Sequence, residues 1–178
     1  MKTQKTILAL LVLLCASAVF IAYENNAQQK TFSEQAFFCP EDNCASKLVK
    51  EINASQKSVH AAVYSFTSAK IANALVEAKK RGIEVKIITD SLQAESKYSK
   101  DELLEQNEIG LRIKKVDGGS MHNKFMVIDG KLVATGSFNY TENADETNDE
   151  NLVFLVNQEI IDEFESEFSE IWQQAQAS

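Results

Sequence analysis

The feature that most constrains this chain is the succession of elements across residues 58–89. A valine- and aromatic-rich run at 58–66 is followed by Thr67-Ser68, either of which suits a helix N-cap. A helix-periodic segment then carries Ile71, Ala74, Leu75 and Ala78 on one face. Lys79-Lys80-Arg81 and Gly82 close that helix, and residues 83–89 form a second apolar run. Strand, helix and strand joined this tightly make a βαβ unit, which requires a parallel pair with a right-handed crossover. The expected fold class is therefore α/β.

The flanking segments extend the pattern. Asn43 is placed to cap a helix whose buried face holds Ala45, Leu48, Val49 and Ile52. Residues 90–99 read as a polar loop, 100–107 as a short helix stopped by Gly110, and 111–116 as a strand broken by Asp117-Gly118-Gly119-Ser120. Two runs, 122–128 and 131–135, flank Asp129-Gly130, a strong hairpin signal. Residues 151–156 give a last strand. The tail from Gln158 puts Ile161, Phe164, Phe168, Ile171 and Trp172 on one helical face, which should pack on the sheet. The expectation is a mixed β-sheet flanked by helices. With 178 residues, this is one domain preceded by an N-terminal extra.

That extra has the marks of a targeting segment: Lys2 and Lys5, an apolar run from Ile7 to Cys15, and the small residues Ala16-Ser17-Ala18. Residues 1–18 are read as a signal peptide, although the apolar character runs on to Ala22 and would also suit a retained anchor. Cys15 follows Leu13-Leu14, which does not suit lipidation. Residues 19–30 would then be a linker and 31–178 the domain, exported to the periplasm or secreted. Loss of Lys2 and Lys5 leaves 16 basic against 26 acidic residues and moves the net charge from −8 to −10. An acidic protein lacks a broad electrostatic grip on nucleic acid, but a local basic cleft is compatible with it. Arg112, Lys114, Lys115, Lys124 and Lys131 are candidates for such a cleft, or for solvated strand edges. In an oxidising compartment Cys39 and Cys44, separated by turn-forming residues, should form a disulfide; four zinc ligands are not available there.

The hairpin concentrates the chemistry. With Asp129 and Gly130 as central turn residues, Ile128 pairs with Lys131, Lys124 faces Thr135 and His122 faces Ser137, with Asn139 diagonal to it. His122, Lys124, Ser137 and Asn139 then share one face. A nucleophilic or basic imidazole, a fixed cation and two neutral donors suit a tetrahedral phosphate. Gly136 would let the backbone approach the same anion. Asp129 lies about 16 Å from Lys124 along an extended strand and on the other face, so it reads as a turn and salt-bridge residue. A histidine here is also compatible with a purely structural role at a strand end.

The pattern His122-x-Lys124-x4-Asp129-x6-Gly136-Ser137-x-Asn139 resembles the HKD motif of the phospholipase D superfamily. Val63-Tyr64-Ser65-Phe66-Thr67, Ala78-Lys79-Lys80-Arg81-Gly82 and Glu150-Asn151 look like the small secreted bacterial nucleases of that superfamily, a resemblance covering about residues 31–172. It implies a phospholipase D-like fold and a covalent phosphohistidine route with no metal or cofactor. His122 would be the nucleophile, Lys124, Ser137 and Asn139 the phosphate clamp, and Glu150 the carboxylate orienting the imidazole. Without the resemblance, Glu150 would simply join the solvated acidic run 142–150.

The motif occurs once, yet displacement at phosphorus also needs a proton donor for the leaving oxygen. His60, the other histidine, lies in an apolar strand where a structural role is expected. A second His122 across a two-fold axis would meet the need, giving a homodimer with a composite site. A metal-dependent nuclease would need clustered acidic or histidine ligands beside His122, which the hairpin does not offer. Three activities fit: an endonuclease of little sequence preference acting on DNA or RNA, a phospholipase D, and a non-catalytic phosphate-binding module. The segments 117–120 and 141–149 are polar, which disfavours insertion into lipid and stable membrane association. The lack of basic stripes interleaved with aromatics points to backbone-only contacts with nucleic acid.

Overall fold

The computed structural model describes residues 33–177; the expected signal peptide and linker, residues 1–30, lie outside them. Among the described residues no helix is long and apolar enough to cross a membrane. The strands are β1 (Gln35–Cys39), β2 (Ser58–Val63), β3 (Glu84–Asp90), β4 (Gly110–Lys114), β5 (Lys124–Ile128), β6 (Leu132–Gly136), β7 (Glu150–Leu155) and β8 (Gln176–Ala177). The helices are α1 (Cys44–Asn53), α2 (Ala69–Lys80), α3 (Ser91–Ala94), α4 (Asp101–Gln106), α5 (Glu142–Glu146) and α6 (Gln158–Gln174).

The strands form one eight-stranded mixed sheet in the order β1-β7-β6-β5-β2-β3-β4-β8. β2, β3 and β4 run parallel, as the βαβ pattern requires, and the other pairings are antiparallel. Strand alternation divides the apolar side chains between two faces. Val59, Ala61, Val63, Met126, Ile128, Leu132 and Ala134 pack beneath α1 and α2. Ala62, Ile88, Phe125, Val127 and Val133 pack beneath Ile161, Phe164, Phe168, Ile171 and Trp172 of α6. The tail helix thus covers the sheet with the face its periodicity specifies.

Helix boundaries follow local chemistry. Ser68 caps α2 by accepting from the Ile71 N–H, and Gly82 takes a positive φ of 86° after its end. The stretch expected to be only a polar loop contains the short helix α3, capped by Asp90 through the Leu92 N–H. Asn43 precedes α1 as expected but contributes no side-chain cap. A carboxylate distant in sequence does so instead, as the Ala45 N–H donates to Asp145 Oδ1 at 2.8 Å. Sequence patterns miss β1, of which only Cys39 is buried, and the two-residue β8. A disulfide joins Cys39 to Cys44, with Cα atoms 5.8 Å apart, and ties edge strand β1 to the start of α1.

The hairpin register differs from expectation by one residue. Asp129 and Gly130 adopt positive φ, 58° and 61°, and the Lys131 N–H donates to the Ile128 carbonyl, so the tight turn forms. Beyond it, however, Ile128 pairs with Leu132 and Phe125 with Thr135. Lys131 is an extra residue, exposed at the turn. The physical reason is burial: pairing Lys131 with Ile128 would turn a lysine toward the core, whereas the slip sets Leu132 there, and both Ile128 and Leu132 are fully buried.

Candidate active site

The slip reorganises the expected site. β5 begins at Lys124, so His122 precedes the strand and Ser137 follows β6; the two are not cross-strand partners. His122 is exposed. Lys124 Nζ donates to the His122 carbonyl at 2.9 Å and lies 3.2 Å from Nδ1 of its ring. Burial depresses the Lys124 pKa, and the negative charge of Glu150 opposes part of that effect.

A second group forms across β6 and β7. The Ser137 hydroxyl donates to Glu150 Oε2 and accepts from the Asn151 N–H, while Asn148 Nδ2 donates to Glu150 Oε1. Asn139 fixes its side-chain oxygen on the Ser65 N–H at 3.3 Å, which leaves its amide nitrogen as a donor. Among the described residues no hydrogen bond joins His122 to Ser137, Asn139 or Glu150. Glu150 is engaged by Ser137 and Asn148, and reaches Lys124 through its charge alone.

Between the two groups runs the end of β2. The Tyr64 N–H donates to the Asn123 carbonyl, and the Ser65 carbonyl accepts from the Tyr140 N–H. The Tyr64 ring packs against His122 with centroids 4.5 Å apart, and Lys124 Nζ lies 5.2 Å above the same ring. Gln93 of α3 donates to the Tyr64 hydroxyl at 3.1 Å. Asp90, almost wholly buried, accepts from the Leu92 N–H and from the Met121 N–H, so one carboxylate fixes both α3 and the residue before His122. Tyr64, Gln93 and Asp90 were not evident as site residues. A tyrosine at a strand's C-terminal end and an Asp opening the next loop are the only local signals they give.

The other expected residues have different partners from those anticipated. Among the described residues Asp129 is in no salt bridge: its carboxylate accepts from the N–H groups of Gln56, Lys57 and Ser58 at 2.7–3.1 Å, locking the hairpin turn to the start of β2. Gly136 (φ 149°) is required by packing, because a Cβ there would meet the Asn151 carbonyl oxygen at 2.2 Å. Arg112 lies over the Trp172 ring at 4.5 Å and Lys114 donates to Gln174, so this pair holds α6, while Lys114 also lines a second open cleft beside His122 that contains Glu167. Among the described residues no three His, Cys, Asp or Glu side chains come together as a metal site. An open cleft of about 560 Å³ begins at Tyr64 and Asn139 and extends toward Tyr98 and Lys100.

Residues 48–172 match the family described as cardiolipin synthase, PLD-like domain. The chain belongs to the phospholipase D superfamily. It is 33% identical over 151 residues to a phospholipase D of Rickettsia conorii, covering 85% of this chain and 75% of that one. It is 32% identical over 133 residues to a mitochondrial cardiolipin hydrolase of Xenopus tropicalis, covering 75% and 63%. Among solved structures it resembles Nuc from Salmonella typhimurium, a phospholipase D family member, with a TM-score of 0.77, 31% identity, and 82% and 97% coverage. NucT from Helicobacter pylori gives the same TM-score at 29% identity, with 83% and 100% coverage. This chain is thus a phosphodiester hydrolase of the superfamily, which sets aside the reading as a non-catalytic binding module.

Proposed function

We propose that the chain is a metal-independent endonuclease acting through a phosphohistidine at His122. The observation that carries this reading is the environment of that imidazole: it is exposed, neighboured by a cation and a tyrosine ring, and hydrogen-bonded to no carboxylate among the described residues. An imidazole nitrogen attacks phosphorus, the bond to the leaving oxygen breaks, and that oxygen takes a proton. Water then attacks the phosphohistidine and returns the imidazole. Lys124, Ser137 and the Asn139 amide hold non-bridging oxygens, and Glu150 orients the imidazole, once the occupant draws the two groups together. The proton donor is His122 of a second copy, which makes the active form a homodimer. His60 does not compete for that role, because both its ring nitrogens are held by carboxylates.

Similarity to Nuc and NucT supports the nuclease, as does the polar lining of the cleft. A second reading, a phospholipase D, is favoured by the relatives of that name and by Leu92 and Tyr98, each 64% exposed beside the cleft. The test is plasmid cleavage in excess EDTA by the wild type and by His122→Ala. Nicking by the wild type alone is expected. Strict dependence on added divalent metal would overturn the mechanism, and choline release from phosphatidylcholine vesicles without nicking would favour the second reading.

A further inference from the structure

The cleft continues past the groups that handle the phosphate, and its far wall has no part in the bond-breaking chemistry. Tyr98 and Lys100 line that wall, following α3. Tyr98 is a large aromatic residue left 64% exposed, which removes it from any core role. Lys97 Nζ lies 4.8 Å from the ring centroid, over one face. Neither Lys97 nor Lys100 is in an ion pair among the described residues. Besides Asn139, the amide side chains of Gln93, Asn143 and Asn148 lie along the same cleft, and Glu142 is the carboxylate among its lining residues.

An exposed aromatic ring with adjacent uncommitted ammonium groups has the composition of a stacking platform for a nucleobase. The amides supply donors and acceptors for a base edge, and the lysines supply counter-charges for the flanking phosphates. A fatty-acyl chain would gain little from a trough lined by hydroxyls, amides and a lysine. A base can stack on Tyr98 only when it is free of its own partner strand. Tyr64 and Asn139 belong both to the cleft and to the candidate catalytic centre, and the Tyr64 ring packs against His122, so a strand lying along the cleft ends beside that imidazole.

We infer that this cleft is a binding site for unpaired nucleotides, in which Tyr98 stacks on a base next to the scissile phosphate and Lys100 holds the neighbouring phosphate. The inference rests on the nuclease reading and gives it a substrate class, single-stranded nucleic acid. It departs from the expectation of backbone-only contacts, because Lys97-Tyr98-Ser99-Lys100 is a short basic stretch with an interleaved aromatic.

The test compares kcat/KM of the full chain on a short single-stranded DNA, on the same DNA as a duplex, and on an abasic strand of tetrahydrofuran nucleotides. The abasic strand keeps the phosphates and removes the bases. The wild type should prefer the base-bearing single strand to both others. Tyr98→Ala should lower the ratio of base-bearing to abasic kcat/KM by about fivefold to a hundredfold, as expected for one lost stack. Tyr98→Trp should keep that ratio, which guards against a folding defect in the alanine variant. Lys100→Ala should reduce cleavage of both strands together and weaken its dependence on salt. A ratio unmoved by Tyr98→Ala, or a duplex cleaved as well as the single strand, overturns the nucleotide site while leaving the nuclease in place. No cleavage of any strand by the wild type, with choline released from phosphatidylcholine vesicles, overturns both.

Discussion

The chain's two histidines lie on or beside neighbouring strands, β2 and β5, and have opposite surroundings. His60, on β2, is largely buried between α6 and the strands; its Nδ1 meets Glu165 at 2.9 Å and its Nε2 meets Glu84 at 3.0 Å. Its ring stacks almost parallel to Phe168, with centroids 4.9 Å apart. His122 stands exposed at the end of the neighbouring strand, with Lys124 and a tilted Tyr64 ring against it. An imidazole with both nitrogens committed to carboxylates can bind but cannot attack. One beside a cation has no anion that would hold it as a static ion pair, and it sits where an incoming phosphate would be attracted. The same side chain is thus a clasp in one place and, in the proposed mechanism, a nucleophile in the other.

Substitution at the two sites should separate these roles sharply. His122→Ala should lower kcat on a phosphodiester by about four orders of magnitude or more, the scale of losing a covalent nucleophile, with an unchanged melting curve. His60→Gln should do the reverse, leaving turnover at the wild-type level and lowering stability. A large loss of turnover in a folded His60→Gln protein would show that the buried histidine is the missing proton donor. A monomer fully active at high dilution would carry the same message.

The aromatic neighbours extend the contrast. Tyr64→Ala removes the ring that supports both His122 and Lys124, and a misplaced nucleophile costs about a hundredfold in kcat. Tyr64→Phe, which loses only the hydrogen bond from Gln93, should cost far less. Phe168→Ala should leave kcat near wild type and cost about 3 kcal/mol of stability in a urea titration, because it empties part of the core under α6. Equal effects of Tyr64→Ala and Tyr64→Phe would place the importance in the hydroxyl and not in the ring.

How much of this was legible in the sequence depends on the range of the interaction. The βαβ unit, the hairpin turn and the apolar face of α6 follow from local periodicity and turn chemistry, and they appear where expected. The role of Asp129 was hidden because its partners, the N–H groups of Gln56, Lys57 and Ser58, lie about seventy residues away in sequence. The support of His122 by Tyr64, Gln93 and Asp90 was hidden for the same reason, since the sheet order sets β5 beside β2 and β3 beyond it. The register slip was hidden because a two-residue turn and a turn with one extra residue share the same Asp-Gly signal. Burial of Leu132 in preference to Lys131 decides between them.

The smallest effect expected is in the pH dependence of the clasp. Burial lowers the His60 pKa, but its hydrogen bonds to Glu165 and Glu84, with the charges of those carboxylates, more than reverse this, and the value is held above 6.5. Glu84, paired with His60 and Lys86, is held below 4.5. A raised histidine pKa stabilises the fold fully below the unfolded value of 6.5 and loses that contribution as pH rises through the folded value. A lowered carboxylate pKa stabilises above 4.5 and loses its contribution as pH falls through the folded value. The two windows overlap between 4.5 and 6.5, where the imidazolium donates to both carboxylates at once. There the unfolding free energy of the wild type should exceed that of His60→Gln by about 1 kcal/mol, a modest figure because Glu84 is more than half exposed and screened by solvent. Above the folded pKa of His60 a neutral ring can donate to only one carboxylate, so the difference should shrink as pH rises. A difference that stays flat from mildly acidic to alkaline pH would mean that His60 holds α6 through its stacking on Phe168 and not through its charge.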